Sequence, residues 1–173
     1  MDIPTQRAFS LVELLVTLSV LTLVLALALP SFQGLAEGNR RATATQQLLG
    51  LLNQARALAI SRQAMVSLCS GTGECLQSRR WEGPLMLFAD PAGVGQPSAG
   101  TAPLKVDSIP EGFAWHWSNA RSQPHITYKA SGITHGLNGT FTLCTQGRAL
   151  QQIVISLSGR ARTLSPANSA GCS

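Results

Sequence analysis

Residues 11–29 read LVELLVTLSVLTLVLALAL, and the only charge in that run is Glu13. As a helix rising 1.5 Å per residue the run spans about 29 Å, which matches the core of one bilayer. A short polar leader, MDIPTQRA, precedes it and puts Arg7 just before the apolar stretch, which favours a cytoplasmic location for that end. The rest of the chain is then expected on the exported side. Beyond Pro30 and Phe32 the apolar residues settle into helical spacing, with Leu48, Leu51, Leu52, Ala55, Leu58 and Ala59 following an i, i+3, i+4, i+7 pattern. One helix over residues 9 to about 62 would be roughly 80 Å long, loosened or kinked by Pro30, Gly34 and Gly38.

Past residue 62 the period changes to short runs bounded by Gly, Pro, Ser and Asn: AMVSLC, PLMLFAD, PLKVDSI, HITYKA, GTFTLC and QQIVISLS. These runs read as β-strands joined by turns. Residues 90–103, DPAGVGQPSAGTAP, have the composition of a mobile loop. The expected organisation is a leader over residues 1–8, an apolar helix half over 9–30, an amphipathic half over 31–62 and a β-rich head over 63–173. A length of 173 residues suits one such head plus a membrane segment. Charged residues make up 12%, about half the usual share, and the apolar helix accounts for the deficit.

The four cysteines, Cys69, Cys75, Cys144 and Cys172, suit an oxidising compartment and allow three pairings. The preferred one closes a small turn with Cys69 and Cys75 and ties the C-terminal tail to a strand with Cys144 and Cys172. Net charge is +5, and it is unevenly spread. No acidic residue follows Glu111, whereas Arg121, Lys129, Arg148, Arg160 and Arg162 do, with His116, His125 and His135 among them. This one-sided charge points to a polyanionic partner, nucleic acid or an anionic surface. The histidines lack metal-ligand spacing, and the chain has no P-loop, nucleophile elbow or paired carboxylates, so no metal, cofactor or enzymatic activity is expected. Trp115 and Trp117 alternate around His116 and share one face, as core packing requires; a base-stacking platform is the competing reading.

The boundary AFSLVELLVTLSVL resembles the signal of type IV prepilins, where a small residue precedes the cut, Phe follows it and Glu stands at the fifth mature position. The resemblance implies cleavage by a prepilin peptidase between Ala8 and Phe9, with Ala8 in place of the usual Gly, and N-methylation of Phe9. It also implies that Glu13, a carboxylate costing about 3 kcal/mol in an apolar segment, pairs with the N-terminal amine of a neighbouring pilin subunit during assembly. Across the head, the order VSLC, W-x-G, LFADPAG, LKV, GTFTLC and IVISLSGRAR resembles the FimT, FimU and GspH group of minor pilins and pseudopilins. Pro84 stands where an aromatic residue commonly follows the glycine of W-x-G, which puts local strand geometry in question. The resemblance implies the type IV pilin fold, an α+β architecture with a long N-terminal helix on a β-sandwich-like head of mostly antiparallel strands. It also implies anchoring in the inner membrane with a periplasmic head.

Gly159, Arg160, Ala161 and Arg162 form a G-R-x-R motif directly after QQIVISLS. In FimT-like pilins a motif of this kind is implicated in binding DNA, and resemblance to that group implies DNA uptake for natural transformation. Physically, two guanidiniums at i and i+2 on an extended segment point the same way and can each engage a phosphate. Arg148 and Lys129 are candidates to widen this basic surface. Two rival readings remain: a glycine turn with two solvated arginines, and a structural minor pilin or type II secretion pseudopilin that contacts only other subunits.

Overall fold

The computed structural model describes residues 10–166 and 171–172, apart from the side chains of residues 27–33. Helix α1, Leu11–Arg62, runs without interruption through Pro30, Gly34 and Gly38. One missing donor and two glycines therefore do not end the helix. The chain divides into two compact units, Met1–Asn39 and Arg40–Ser173.

In the first unit the large apolar side chains from Leu11 to Leu25 are all exposed, between 49% and 76%. Its hydroxyls turn inward to the backbone. Thr17, Ser19 and Thr22 donate to the carbonyls of Leu14, Leu15 and Ser19 at 2.9, 2.7 and 2.9 Å. A hydroxyl satisfied within its own helix needs no water. Among the described residues no helix is long and apolar enough to cross a membrane; residues 27–29, which close the apolar run, are among those whose side chains lie outside the description.

In the second unit, Leu48, Leu51, Leu52, Ala55 and Ala59 of α1 are buried and Leu58 packs at their margin, as the spacing requires. The helix ends at Gln63, whose φ of 50° lets Ala64 N donate to Ala59 O and stops the ladder. Among the described residues nine strands follow: β1 Val66–Ser70, β2 Arg80–Trp81, β3 Pro84–Ala89, β4 Lys105–Ser108, β5 Ala114–Asn119, β6 His125–Tyr128, β7 Gly139–Thr145, β8 Arg148–Ile155 and β9 Ala161–Leu164. They build two antiparallel sheets, ordered β4-β3-β1-β6 and β2-β5-β7-β8-β9. Gly83, at φ 65°, makes the turn between β2 and β3, and Pro84, in the place where an aromatic residue commonly stands, still opens a strand.

Both sheets and α1 share one core. At its centre Phe141 of β7 is stacked on Trp117 at 4.1 Å and tilted against Trp81 at 4.7 Å, with Trp115 edge-on at 6.4 Å. Trp115 and Trp117 are 0% and 1% exposed, which rules out the base-stacking platform. The opposite face of the first sheet carries a smaller cluster of Cys69, Cys75, Met86 and Phe88, built around the Cys69–Cys75 disulfide. A second disulfide joins Cys144 of β7 to Cys172.

Residues 90–96 form a loop, as expected, and it is anchored. The buried Asp90 carboxylate accepts hydrogen bonds from Ser67 Oγ, Val94 N and Gly95 N at 2.7, 3.0 and 2.8 Å. Gln96 then both accepts from Cys75 N and donates to Cys75 O. A glycine- and proline-rich composition sets the path of this segment, but long-range polar bonds hold it against the first sheet.

Candidate nucleic-acid interface

The G-R-x-R motif spans the end of the turn after β8 and the start of β9. Ile155 pairs with Ala161, and the turn between them is closed by Ser156 N donating to Arg160 O at 3.1 Å and Gly159 N donating to Ser156 O at 2.9 Å. Ser156 Oγ also accepts from Arg160 N at 3.3 Å. Gly159 has φ 78°, and a Cβ there would stand 2.1 Å from the Gly132 carbonyl oxygen. Glycine is required twice over, by the backbone angle and by a neighbouring backbone that cannot retreat.

That neighbour is the turn after β6. Lys129 N donates to Ile133 O at 2.9 Å and Gly132 N to Lys129 O at 2.8 Å, while Thr134 N reaches across to Leu157 O at 3.1 Å. Beneath it Arg56 of α1 donates from Nε to Gly132 O at 2.9 Å. The Lys129 turn and the arginine turn are therefore bonded into one corner. Arg160 and Arg162 are exposed on either side of Ala161, which packs against the core. Arg162 stands on β9, the edge strand of the second sheet, and pairs with Val154 of β8. Among the described residues the two ion pairs, Arg80–Glu82 and Lys105–Asp107, leave both guanidiniums untouched.

Arg148 is placed elsewhere. It begins β8, next to the turn at Gln146 and Gly147, whereas Arg162 pairs near the other end of that strand. Six strand residues put it about 20 Å away, so it does not join the corner. Sequence reasoning missed Arg56, a half-buried helix residue whose role depends on a turn 76 positions later. Glu13 is exposed and forms no ion pair among the described residues. Ala8 and Phe9 lie outside those residues.

Residues 44–159 match the sequence profile of the family described as Type II transport protein GspH. The chain belongs to that family. Residues 3–29 match the prokaryotic N-terminal methylation motif, which covers the prepilin-like boundary. No curated protein sequence matches the chain. The fold is similar to that of the type IV minor pilin FimU of Pseudomonas aeruginosa, at 22% identity and a TM-score of 0.55, over 78% of this chain and 94% of FimU. It is also similar to the minor pseudopilin EpsH from the type II secretion system of Vibrio cholerae, at 16% identity and a TM-score of 0.50, over 75% of this chain and 95% of EpsH. The GspH-family chain is thus a minor pilin or pseudopilin with the α+β pilin fold, a structural protein rather than an enzyme. Minor pilins and pseudopilins associate with other pilin subunits in filaments, and chains with the methylation motif are membrane-anchored.

Proposed function

We propose that the chain is a FimT-like minor pilin that binds DNA during uptake for natural transformation, with Arg160 and Arg162 as the contacts. The supporting observation is their exposure, Arg160 in a turn fixed by Gly159 against Gly132 and Arg162 on the edge strand that follows, both outside the ion pairs of the described residues. Lys129 lies on the adjoining turn and extends the positive surface; Arg148 does not. Guanidiniums on phosphates carry no base information, so binding is sequence-independent. Affinity falls with salt by about 0.9 in log K for each phosphate neutralised, and one head binds at micromolar strength or weaker. Several subunits along a filament raise the avidity.

The deciding test is a salt titration of DNA binding by the full chain in detergent and by the Arg160→Gln, Arg162→Gln variant, together with transformation frequency in cells. Loss of salt-sensitive binding and of transformation, with the fold retained, supports the reading. Wild-type binding with an unchanged variant removes these residues from the site.

In the same reading, prepilin peptidase cuts between Ala8 and Phe9, Phe9 is N-methylated, and residues 9–30 anchor the chain in the inner membrane with the head in the periplasm. Glu13 pairs with the Phe9 amine of a neighbouring subunit. Mass spectrometry of the mature N-terminus tests the cut and the methyl group. A second reading draws on the GspH profile and the likeness to EpsH: a subunit that primes filament assembly without touching DNA. If deleting the gene removes pili or secretion rather than DNA uptake alone, this second reading holds.

A further inference from the structure

At the opposite end of β6 from the Lys129 turn lies a cavity of about 180 Å³, lined by Gly93, Val94, Arg121, Gln123, His125 and His135 among others. No acidic side chain lines it. His125 is 7% exposed and sits under the clamped loop, where a Cβ on Gly95 would stand 2.1 Å from its ring. His135 Nδ1 is buried and has no hydrogen-bond partner. Arg121 packs across Gly136, whose added Cβ would stand 2.9 Å from Nη2. Its turn is braced by Asn119, which accepts from Arg121 N and Gln123 N and donates to Gln123 O.

We propose that this cavity binds a small oxyanion, a sulfate-, phosphate- or carboxylate-sized group, between the Arg121 guanidinium and the imidazoles of His125 and His135. The guanidinium supplies a fixed charge and a planar fork, and each imidazole supplies an N–H donor. Arg121 in the lining disfavours a cation, and no lining side chain offers a carboxylate to hold one. Asp90, the acid whose charge reaches His125, opposes an anion there; its carboxylate is turned to Ser67 Oγ, Val94 N and Gly95 N, which weaken that field without removing it, and it does not line the cavity.

Proton linkage follows. Burial lowers the His125 pKa, with a further push from His135 and an opposing pull from Asp90, so the ring is neutral in the empty site at neutral pH. An anion beside the ring favours its protonated form, and affinity rises as pH falls. This site is independent of the DNA reading and stands or falls apart from it.

The test follows the histidine ring resonances of the full chain in detergent while sulfate is added at constant ionic strength. Sulfate keeps its double charge from about pH 7.5 to about pH 5.5, so the change in affinity reports the protein's protons. The expected result is saturable movement of His125 and His135 but not His116, with binding about tenfold tighter at the lower pH. Arg121→Gln, at an exposed position, should weaken it about tenfold, and Arg160→Gln with Arg162→Gln should leave it unchanged. A parallel acetate titration assigns the ligand class: acetate binding alone points to carboxylates, sulfate binding alone to phosphate-like dianions. Absence of saturation by either anion up to about 20 mM in a well-folded sample overturns the proposal, as does binding indifferent to Arg121→Gln.

Discussion

Strand β8 is bounded by two turns that both end in Gly-Arg, and the pair behaves differently. Gly147 has φ 75° and nothing within 4 Å of the position its Cβ would take, while Gly159 has φ 78° and the Gly132 carbonyl at 2.1 Å. The first glycine answers only to the backbone angle of a two-residue hairpin. The second also closes a seam between the two sheets. Their arginines differ accordingly: Arg148 stands in the open at one end of β8, and Arg160 leaves a corner shared with Lys129 and Arg56.

Substitution breaks the comparison most sharply at the glycines. Gly159→Ala should cost about 3 kcal/mol, since the left-handed angle costs roughly 1–2 kcal/mol and the backbone clash adds to it; denaturant unfolding measures this. At the arginines, Arg160→Gln with Arg162→Gln should weaken DNA binding by about tenfold or more at low salt and flatten the salt slope by about two. Gly147→Ala should cost only about 1 kcal/mol, the backbone term alone, and an equal loss at both glycines would show that the contact with Gly132 contributes nothing. Arg148→Gln is the smallest change: DNA affinity should stay within about twofold, and a larger loss would mean that the polyanion follows the whole length of β8.

Much of the architecture was legible because its signals are local. The helix face from Leu48 to Ala59 and the alternation of Trp115 and Trp117 depend on one repeating angle per residue, which sequence displays directly. Residues 80–81 were not read as a strand, since two residues show no period and their pairing with Trp115 and His116 is set by register across the sheet. Residues 90–96 are a loop as read, but their anchoring escaped the sequence for a related reason: Asp90 and Gln96 resemble ordinary loop residues until Ser67 and Cys75 come within reach. At the candidate site the extended motif was readable but its neighbours were not. Lys129 and Arg148 looked equivalent as nearby basic residues, and only the strand path separates them by placing one at the corner and the other at the far end.

The bond between Cys144 and Cys172 has a mechanical consequence. With a sequence separation of 28, it closes a covalent ring that contains all of β8 and β9 and is rooted in β7, the central strand of the second sheet. An open edge strand under load can peel away residue by residue and lengthen its tether as it goes. Here β9 is fastened at both ends, so tension applied at Arg162 runs in parallel through two arms into β7, and the chain pays out no slack beyond the ring.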